Sequence, residues 1–96
     1  MEYNRPASAA KQALLAKAAG LDTAGLSDEA AAVAAARAVD RFILDLGMPH
    51  RLRELEVPRA DFPVIAQLTL VDGSCLTNPI PITKVEQVME VLDAAF

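Results

Sequence analysis

The stretch Leu68–Glu86, LTLVDGSCLTNPIPITKVE, decides how the second half of this chain folds. Its apolar start ends at Asp72-Gly73, a dipeptide typical of turns, and two prolines stiffen the polar segment that follows. Thr83 and Glu86 have the spacing of a capping box, in which a hydroxyl and a carboxylate bind each other's backbone N–H groups where a helix begins. The stretch therefore predicts a loop from Gly73 to Thr83 and a helix after it.

Helices are predicted on both sides of that loop. The first begins near Phe62 or Pro63 and runs to about Asp72. Its apolar stripe consists of Ile65, Leu68 and either Thr69 or Val71. Residues 68–71 also have a strand-like composition, but the length from the proline and the lack of a partner strand favour a helix. The last helix spans Lys84 to Ala95, and its apolar side chains share one face: Val85, Val88, Met89, Leu92 and Phe96.

Two more helices are predicted in the first half of the chain. One runs from Ala7 to Ala19 and ends at Gly20, which suits the left-handed position after a helix. Its expected apolar stripe is Leu14, Leu15 and Ala18. The next begins after the N-cap Ser27 and runs to Leu46. Its first half is rich in alanine, which favours helix and would let a neighbouring helix approach closely, and its second half has an apolar stripe of Val39, Phe42, Ile43 and Leu46.

These patterns together predict an all-α fold in a single domain over residues 1–96. It is a small bundle of about four main helices plus short helical turns near Leu52–Leu55 and Arg59–Asp61. Aromatic residues make up only 4% of the chain, so the core has to rest on Leu, Val, Ile and Met. A core this thin is of the kind that a partner or another domain often completes.

Composition excludes several classes of function. The net charge of −4 argues against a nucleic-acid surface, which needs clustered Lys and Arg to displace counterions. No apolar run approaches the roughly 18 residues that would indicate a membrane span. A single cysteine rules out an internal disulfide, and the polar first residues do not resemble a secretory signal. We therefore expect a cytoplasmic protein with no nucleic-acid or membrane partner.

The candidates for chemistry are few, and each has a structural explanation. His50 is the only histidine, and a lone histidine without clustered partners cannot build a metal or acid–base site. Cys75 has no neighbouring cation in sequence that would favour a thiolate, so a small, partly buried residue is expected. Asp72 is expected to accept hydrogen bonds from local amides, and Asn78-Pro79 to form a turn. The basic cluster is interleaved with acidic residues, which predicts a solvated, mixed-charge face; it comprises Arg51, Arg53 and Arg59.

An ordered series of motifs runs through the second half of the chain. The series is Leu46-Gly47-Met48-Pro49, Asp61-Phe62-Pro63, Val71-Asp72-Gly73, Leu76-Thr77-Asn78-Pro79 and Pro81-Ile82-Thr83, followed by a helix that ends in Ala-Ala-Phe. In order and spacing it resembles the C-terminal end of the iron-containing (group III) alcohol dehydrogenases. The start of the chain, residues 1–7, resembles the segment after that family's last metal-binding histidine. The resemblance therefore covers nearly the whole chain.

This resemblance implies a parent enzyme that uses NAD(P) and iron or another divalent metal. Such enzymes have an N-terminal nucleotide-binding domain, and one aspartate and three histidines hold the metal where the helical domain begins. None of those positions falls in this chain, so the resemblance implies no cofactor here. It does imply that the loop around Asp72 to Pro79 borders the active-site cleft, with Asp72, Gly73, Ser74, Cys75, Asn78 and Pro79 as its candidate residues. Ser74 stands where the family often has cysteine after the Asp-Gly pair, and Cys75 follows one place later.

Two functional hypotheses follow. In the first, the chain is the C-terminal helical part, a fragment or truncated relative, of an iron-containing, NAD(P)-dependent alcohol dehydrogenase and is not catalytic alone. It then exposes an apolar face that the other dehydrogenase domains, or a second copy, would cover. In the alternative, it is a stand-alone helical interaction module that forms a well-packed homodimer. An autonomous enzyme has little support, because no pair of titratable groups indicates acid–base catalysis.

Overall fold

The computed structural model describes all 96 residues, and it contains helices but no strands. The α-helices are α1 (Arg5–Ala18), α2 (Asp28–Asp45), α3 (Phe62–Thr69), the one-turn α4 (Ser74–Thr77) and α5 (Val85–Ala95). Short 3-10 turns occupy Leu52–Leu55 and Arg59–Asp61. The all-α prediction is confirmed, and the strand considered for residues 68–71 does not form. The chain divides into two compact units, Met1–Met48 and Pro49–Phe96.

The first unit is held together by alanines on α1 and α2. Its buried cluster consists of Ala13, Ala16, Ala31 and Ala35, with Leu21 of the connector packed against it. Because an alanine side chain ends at Cβ, the two helices can approach to the short end of the usual 8–10 Å range of interaxial distances, as the alanine-rich half of α2 predicted. The same property limits the apolar area that this contact buries.

The start of α2 is fixed by a cap and by an ion pair. Ser27 is the N-cap, as predicted, and its Oγ accepts a hydrogen bond from the Ala30 N–H at 3.2 Å. The Arg5 guanidinium binds Glu29 Oε1 at 2.7 Å, which joins the first turns of α1 and α2. Gly20 has a φ of +76°, the left-handed conformation that was predicted for the residue ending α1.

The apolar stripe predicted for α1 is wrong. Leu14 is 62% exposed and Leu15 is 43% exposed, whereas Ala13 and Ala16 are buried. Ala18, the third predicted member, is exposed as well. The physical reason is the close contact with α2, which accommodates methyl groups but not leucine side chains. The helix therefore turns its small face inward and its large apolar side chains outward.

In its second half, α2 presents large apolar side chains to solvent. At about 100° per residue, Val39, Phe42 and Leu46 fall on the same side of the helix as the buried Ala32 and Ala35. All three are exposed, and Phe42 is 63% exposed. We call these three residues the α2 apolar face. The predicted stripe is thus present, with Ile43 partly buried and its other three members exposed.

Phe62 is the largest fully buried side chain and the centre of the second unit. It is 1% exposed, and its ring meets the Phe96 ring edge to face at a centroid distance of 5.8 Å. Ala66 of α3, Cys75 of α4 and Val88 of α5 are buried too. Each of the three helices in this unit therefore contributes to its core.

Two arginines fix the C-terminal end of α5. The Arg59 guanidinium lies 4.3 Å from the centre of the Phe96 ring and forms an ion pair with Asp93. Arg51 Nη1 donates to the Ala94 carbonyl oxygen at 2.9 Å. The basic cluster is largely solvated, as predicted, but sequence spacing gave no indication that two of its arginines bind α5.

The predicted end and the predicted stripe of α3 need correction. The helix ends at Thr69, not near Asp72, and its buried side chains are Phe62 and Ala66. Leu68 and Val71 are both exposed. The helix turns its aromatic N-terminal residue inward, and this places Leu68 on the outer side. The predicted face of α5 is confirmed. Val88 is buried, and the other four members of the face are all partly buried.

The capping box predicted for Thr83 and Glu86 is wrong by one residue. The N-cap of α5 is Lys84, and Gln87 supplies the side chain that reaches back. Gln87 Oε1 accepts from the Lys84 N–H at 3.0 Å and also from the Thr83 N–H at 2.9 Å. A lysine side chain has no acceptor, so only this half of a capping box forms.

No helix in the chain combines the length and the apolarity needed to cross a bilayer.

Replacement of Phe62 by alanine should unfold the second unit. The loss of a fully buried aromatic side chain costs about 3–5 kcal/mol, which is a large fraction of the stability of a small domain. The matched control is Val64→Ala, an exposed position on the same helix, which should change the free energy of unfolding by less than about 0.5 kcal/mol. Urea denaturation followed by circular dichroism measures both, and equal midpoints for the two variants would contradict the packing described for Phe62.

Candidate functional site

The candidate site residues lie on one segment, Asp72 to Thr83, which joins α3 to α5. The predicted loop is partly wrong here, because residues 74–77 form the one-turn helix α4. Asp72 explains the difference. Its Oδ1 accepts from the Ser74 N–H at 2.9 Å, and its carbonyl oxygen accepts from the Cys75 N–H at 3.0 Å. An aspartate that binds amides two and three residues ahead starts a helical turn.

These hydrogen bonds also set the charge state of Asp72. The pKa of its carboxyl is lowered, first by the hydrogen bond from the Ser74 backbone N–H and then by one from the Ser74 hydroxyl, while slight desolvation opposes the shift. Donors that bind the carboxylate favour its ionised form. The structural role predicted for Asp72, as an acceptor for local amides, is therefore confirmed.

Cys75 points into the second unit and is buried, as predicted. Its thiol donates to the Thr69 carbonyl oxygen at 3.1 Å, and its own carbonyl oxygen accepts from the Ile82 N–H at 3.0 Å. Cys75 thus links the end of α3 to the chain that returns toward α5. Its neighbours Asp72, Gly73 and Ser74 are exposed.

Asn78-Pro79 forms the predicted turn. Asn78 Nδ2 donates to the Ile80 carbonyl oxygen at 2.7 Å, which closes the turn around Pro79. Asn78 is half-buried, whereas Pro79 is exposed. Of the six candidate residues, Cys75 is buried, Asn78 is half-buried and the other four are exposed.

His50 lies in the irregular connector that precedes the 3-10 turn Leu52–Leu55. Its backbone N–H donates to Glu54 Oε2 at 2.9 Å, and this bond is the main cause of the lowered pKa of Glu54. His50 Nδ1 lies 3.3 Å from the same oxygen but lacks the alignment of a hydrogen bond. No group of three or more His, Cys, Asp or Glu side chains in the chain is arranged to hold a metal ion. The residues present therefore do not fit an iron site.

Sequence reasoning missed one residue that shapes the segment. Gln87 binds the backbone at three positions, since its Nε2 also donates to the Pro81 carbonyl oxygen at 3.2 Å. Its spacing of three residues from Lys84 was the available signal. Thr83 and Glu86, one position earlier, have the same spacing and are the residue types of a capping box.

Comparison with known proteins places the chain in a family. The model of the family described as "Fe-containing alcohol dehydrogenase family, C-terminal" matches residues 1–96. The chain is 43% identical over 77 residues to 1,3-propanediol dehydrogenase of Citrobacter freundii, a match that covers 80% of this chain and 20% of that protein. It is 33% identical over 96 residues to lactaldehyde reductase of Escherichia coli (strain K12), a match that covers 100% of this chain and 25% of that protein.

A solved structure agrees with these matches. The crystal structure of a 1,3-propanediol oxidoreductase superposes on the chain with a TM-score of 0.91 at 35% sequence identity, over 99% of this chain and 25% of that one. The family resemblance seen in the sequence is therefore confirmed. The chain spans only a fifth to a quarter of the length of the relatives it matches.

Acidification should release α4 only at a pH below the ordinary range for aspartate. Because the pKa of Asp72 is lowered in the folded chain, its contribution is complete above the unfolded value of about 3.9 and is lost as the pH falls through the lower folded value. Nuclear magnetic resonance should show a Ser74 amide shift that titrates below pH ~3.9. Asp72→Ala should remove this titration, whereas Asp61→Ala, at an exposed aspartate outside the segment, should leave it unchanged. A titration midpoint of the Ser74 amide shift at or above the ordinary aspartate pKa would contradict the hydrogen bonds from Ser74 to Asp72.

Proposed function

This chain belongs to the iron-containing alcohol dehydrogenase family, as its C-terminal domain, and on that basis we propose that it completes the helical domain of an NAD(P)-dependent alcohol dehydrogenase. The match of the family model over residues 1–96 is the observation that carries the proposal. The chain is then not catalytic alone. Parts of the enzyme outside these residues hold the metal and the nicotinamide cofactor, which together supply the hydride-transfer chemistry, and no step of it is assigned to the residues described here.

The distribution of large and small apolar residues supports this role. In the first unit, alanines form the core while Leu14, Leu15 and the α2 apolar face are exposed. In the second unit, Leu68 and Leu76 are exposed on α3 and α4. Single exposed apolar residues are ordinary, but a first unit that buries alanines and exposes leucine and phenylalanine side chains favours contact with further protein.

We propose that other parts of the same enzyme cover the α2 apolar face. The relatives are four to five times as long as the matched segment, which gives ample chain for this purpose. The face consists of valine, phenylalanine and leucine, so its occupant should present an apolar helix face of its own. A second copy of the chain is the competing occupant, and it corresponds to the dimerisation module considered from sequence.

The segment Asp72–Pro79 is proposed to border the active-site cleft of the complete enzyme. Its exposed backbone and the side chains of Ser74 and Pro79 would shape one wall. The relatives are named for 1,3-propanediol and for lactaldehyde, each a three-carbon compound with two oxygens. We therefore propose a small alcohol or aldehyde with a second oxygen as the substrate class. The cytoplasm is the proposed compartment, because the one cysteine is a free thiol.

The proposal is tested by exchanging domains. The segment of the Escherichia coli lactaldehyde reductase that matches this chain is replaced by residues 1–96, and nicotinamide-linked aldehyde reduction is measured. We expect activity from the hybrid and none from the reductase that lacks the segment. A soluble hybrid that binds metal and cofactor but does not turn over would overturn the proposed role.

Phe42→Asp should abolish most of the activity of the hybrid. A charge buried in an apolar interface costs several kcal/mol, so soluble active enzyme should fall at least about tenfold. Leu44→Asp is the matched control, with the same change of charge on the opposite, exposed side of α2, and it should leave activity within about twofold. Equal effects of the two substitutions would show that the α2 apolar face is not the docking surface.

The free chain should be a monomer that exposes apolar surface. Sedimentation velocity over a concentration series, with a hydrophobic dye on the same samples, should show one copy per particle and bound dye. Phe42→Asp should reduce the dye signal more than Leu44→Asp. A tight dimer that binds no dye would instead favour the stand-alone interaction module.

A further inference from the structure

Gln87 ties the first turn of α5 to the chain that leads into it. Its Oε1 accepts from the Thr83 N–H and the Lys84 N–H, and its Nε2 donates to the Pro81 carbonyl oxygen. Both ends of one carboxamide are therefore bound to backbone. The three distances lie between 2.9 and 3.2 Å, the ordinary range for N–H···O hydrogen bonds.

The segment that Gln87 holds has few backbone bonds of its own. Pro79 and Pro81 have no N–H to donate, so two positions between α4 and α5 offer no backbone donor. The Ile82 N–H, which lies beside the part bound by Gln87, donates to the Cys75 carbonyl oxygen at 3.0 Å. Through this bond the position of residues 81–84 is linked directly to α4.

Contacts along α5 and at its C-terminal end hold the helix that carries Gln87 in place. Val88, the next residue, is buried. At the C-terminal end, Phe96 packs against the buried Phe62 ring and under the Arg59 guanidinium. A helix held in this way at its end and along its inner face moves as one rigid element, so a side chain in its first turn can define where a neighbouring segment lies.

We infer that Gln87 is a positioning residue that sets the place of the Asp72–Pro79 segment at the edge of the substrate cleft. The inference rests on the proposed function, which puts that segment at the cleft. Gln87 itself need not touch the substrate. It acts through Pro81, Thr83 and Lys84, and then through the Ile82–Cys75 hydrogen bond, on the wall that the substrate meets.

A purely structural role makes a different prediction. If Gln87 only caps α5, its loss lowers the stability of the enzyme but leaves the affinity of the folded enzyme for substrate unchanged. If it positions the cleft wall, KM for the aldehyde rises while kcat, which depends on the metal and the nicotinamide, changes little. The split between KM and kcat therefore separates the two roles.

Four substitutions in the hybrid enzyme described above provide the test. Gln87→Met keeps the length of the side chain but makes none of the three bonds, and Gln87→Glu keeps the acceptor for Thr83 and Lys84 while losing the donor to Pro81. Glu90→Gly weakens α5 at an exposed position that lies outside the segment. Thr83→Ala leaves the backbone N–H, and hence the bond to Gln87, in place.

We expect Gln87→Met to raise KM about fivefold with kcat within about twofold, the size of effect that one or two lost neutral hydrogen bonds produce. Gln87→Glu, which keeps the two bonds from Thr83 and Lys84 but not the one to Pro81, should raise KM less than Gln87→Met does. Glu90→Gly and Thr83→Ala should leave KM at the parental value. A parental KM for Gln87→Met, or an equal rise in KM for Glu90→Gly, would overturn the inference.

Amide hydrogen exchange on the 96-residue chain separates failure of this inference from failure of the proposed function. Gln87→Met should speed exchange at Cys75 and Ile82, which Gln87 does not bind, and Glu90→Gly should not. Unchanged exchange at both amides would show that Gln87 does not hold the segment, whatever the kinetics. Faster exchange with an unchanged KM would show that the segment is held as described but does not lie at the cleft, which overturns the cleft placement and the inference that rests on it.

Discussion

The close contact between the alanine faces of α1 and α2 is the constraint on which the first unit depends. Each alanine adds only a methyl group to the buried surface, so the contact gains less hydrophobic stabilisation than one built from leucine, at about 0.8 kcal/mol per buried CH₂ group. Its advantage is geometric, because helices that meet through Cβ atoms are held at a well-defined short distance. The consequence appears on the outer surfaces, where Leu14, Phe42 and other large apolar residues have no place in the contact and lie exposed. A first unit with this arrangement leaves apolar surface that further packing could bury.

The second unit differs from the first because its core contains one large aromatic side chain, Phe62. Phe62 is almost completely buried, and the Phe96 ring meets it edge to face, an arrangement that stabilises beyond the area it buries. Arg59 then covers Phe96 and pairs with Asp93. Because Arg59 and Asp93 are more than half and almost half exposed, respectively, their ion pair contributes little stability by itself. Its effect is to hold the end of α5 in place over the aromatic pair.

Local signals in the sequence were enough to predict where most helices lie, but not which way they face. Ser27 and Gly20 gave the correct start of α2 and end of α1, because caps depend on neighbouring backbone alone. The periodicity of α1 predicted a stripe with Leu14 and Leu15, whereas packing against the alanines of α2 buries Ala13 and Ala16 instead. In the candidate segment, Thr83 and Glu86 matched a capping box as well as Lys84 and Gln87 did by spacing. The register was decided by bonds from Gln87 to Pro81 and Thr83, and the pairing of Arg59 with Asp93 spans too many residues for any local pattern to reveal.

The polar side chains of the candidate segment form hydrogen bonds with nearby residues of the second unit. The Asp72 carboxylate is bound by Ser74, the Cys75 thiol is bound to the Thr69 carbonyl oxygen, and the Asn78 amide is bound to Ile80. Hydrogen bonds from Ser74 lower the pKa of Asp72 further below neutral pH, so its carboxylate has no proton to donate there. The Cys75 side chain is buried, and its one hydrogen bond goes to the Thr69 carbonyl oxygen inside the second unit. Any contribution of this segment to a cleft is therefore one of shape and position rather than of proton transfer or covalent chemistry. That is why residues that fix the backbone, and not those with reactive groups, are where substitutions should affect the parent enzyme most selectively.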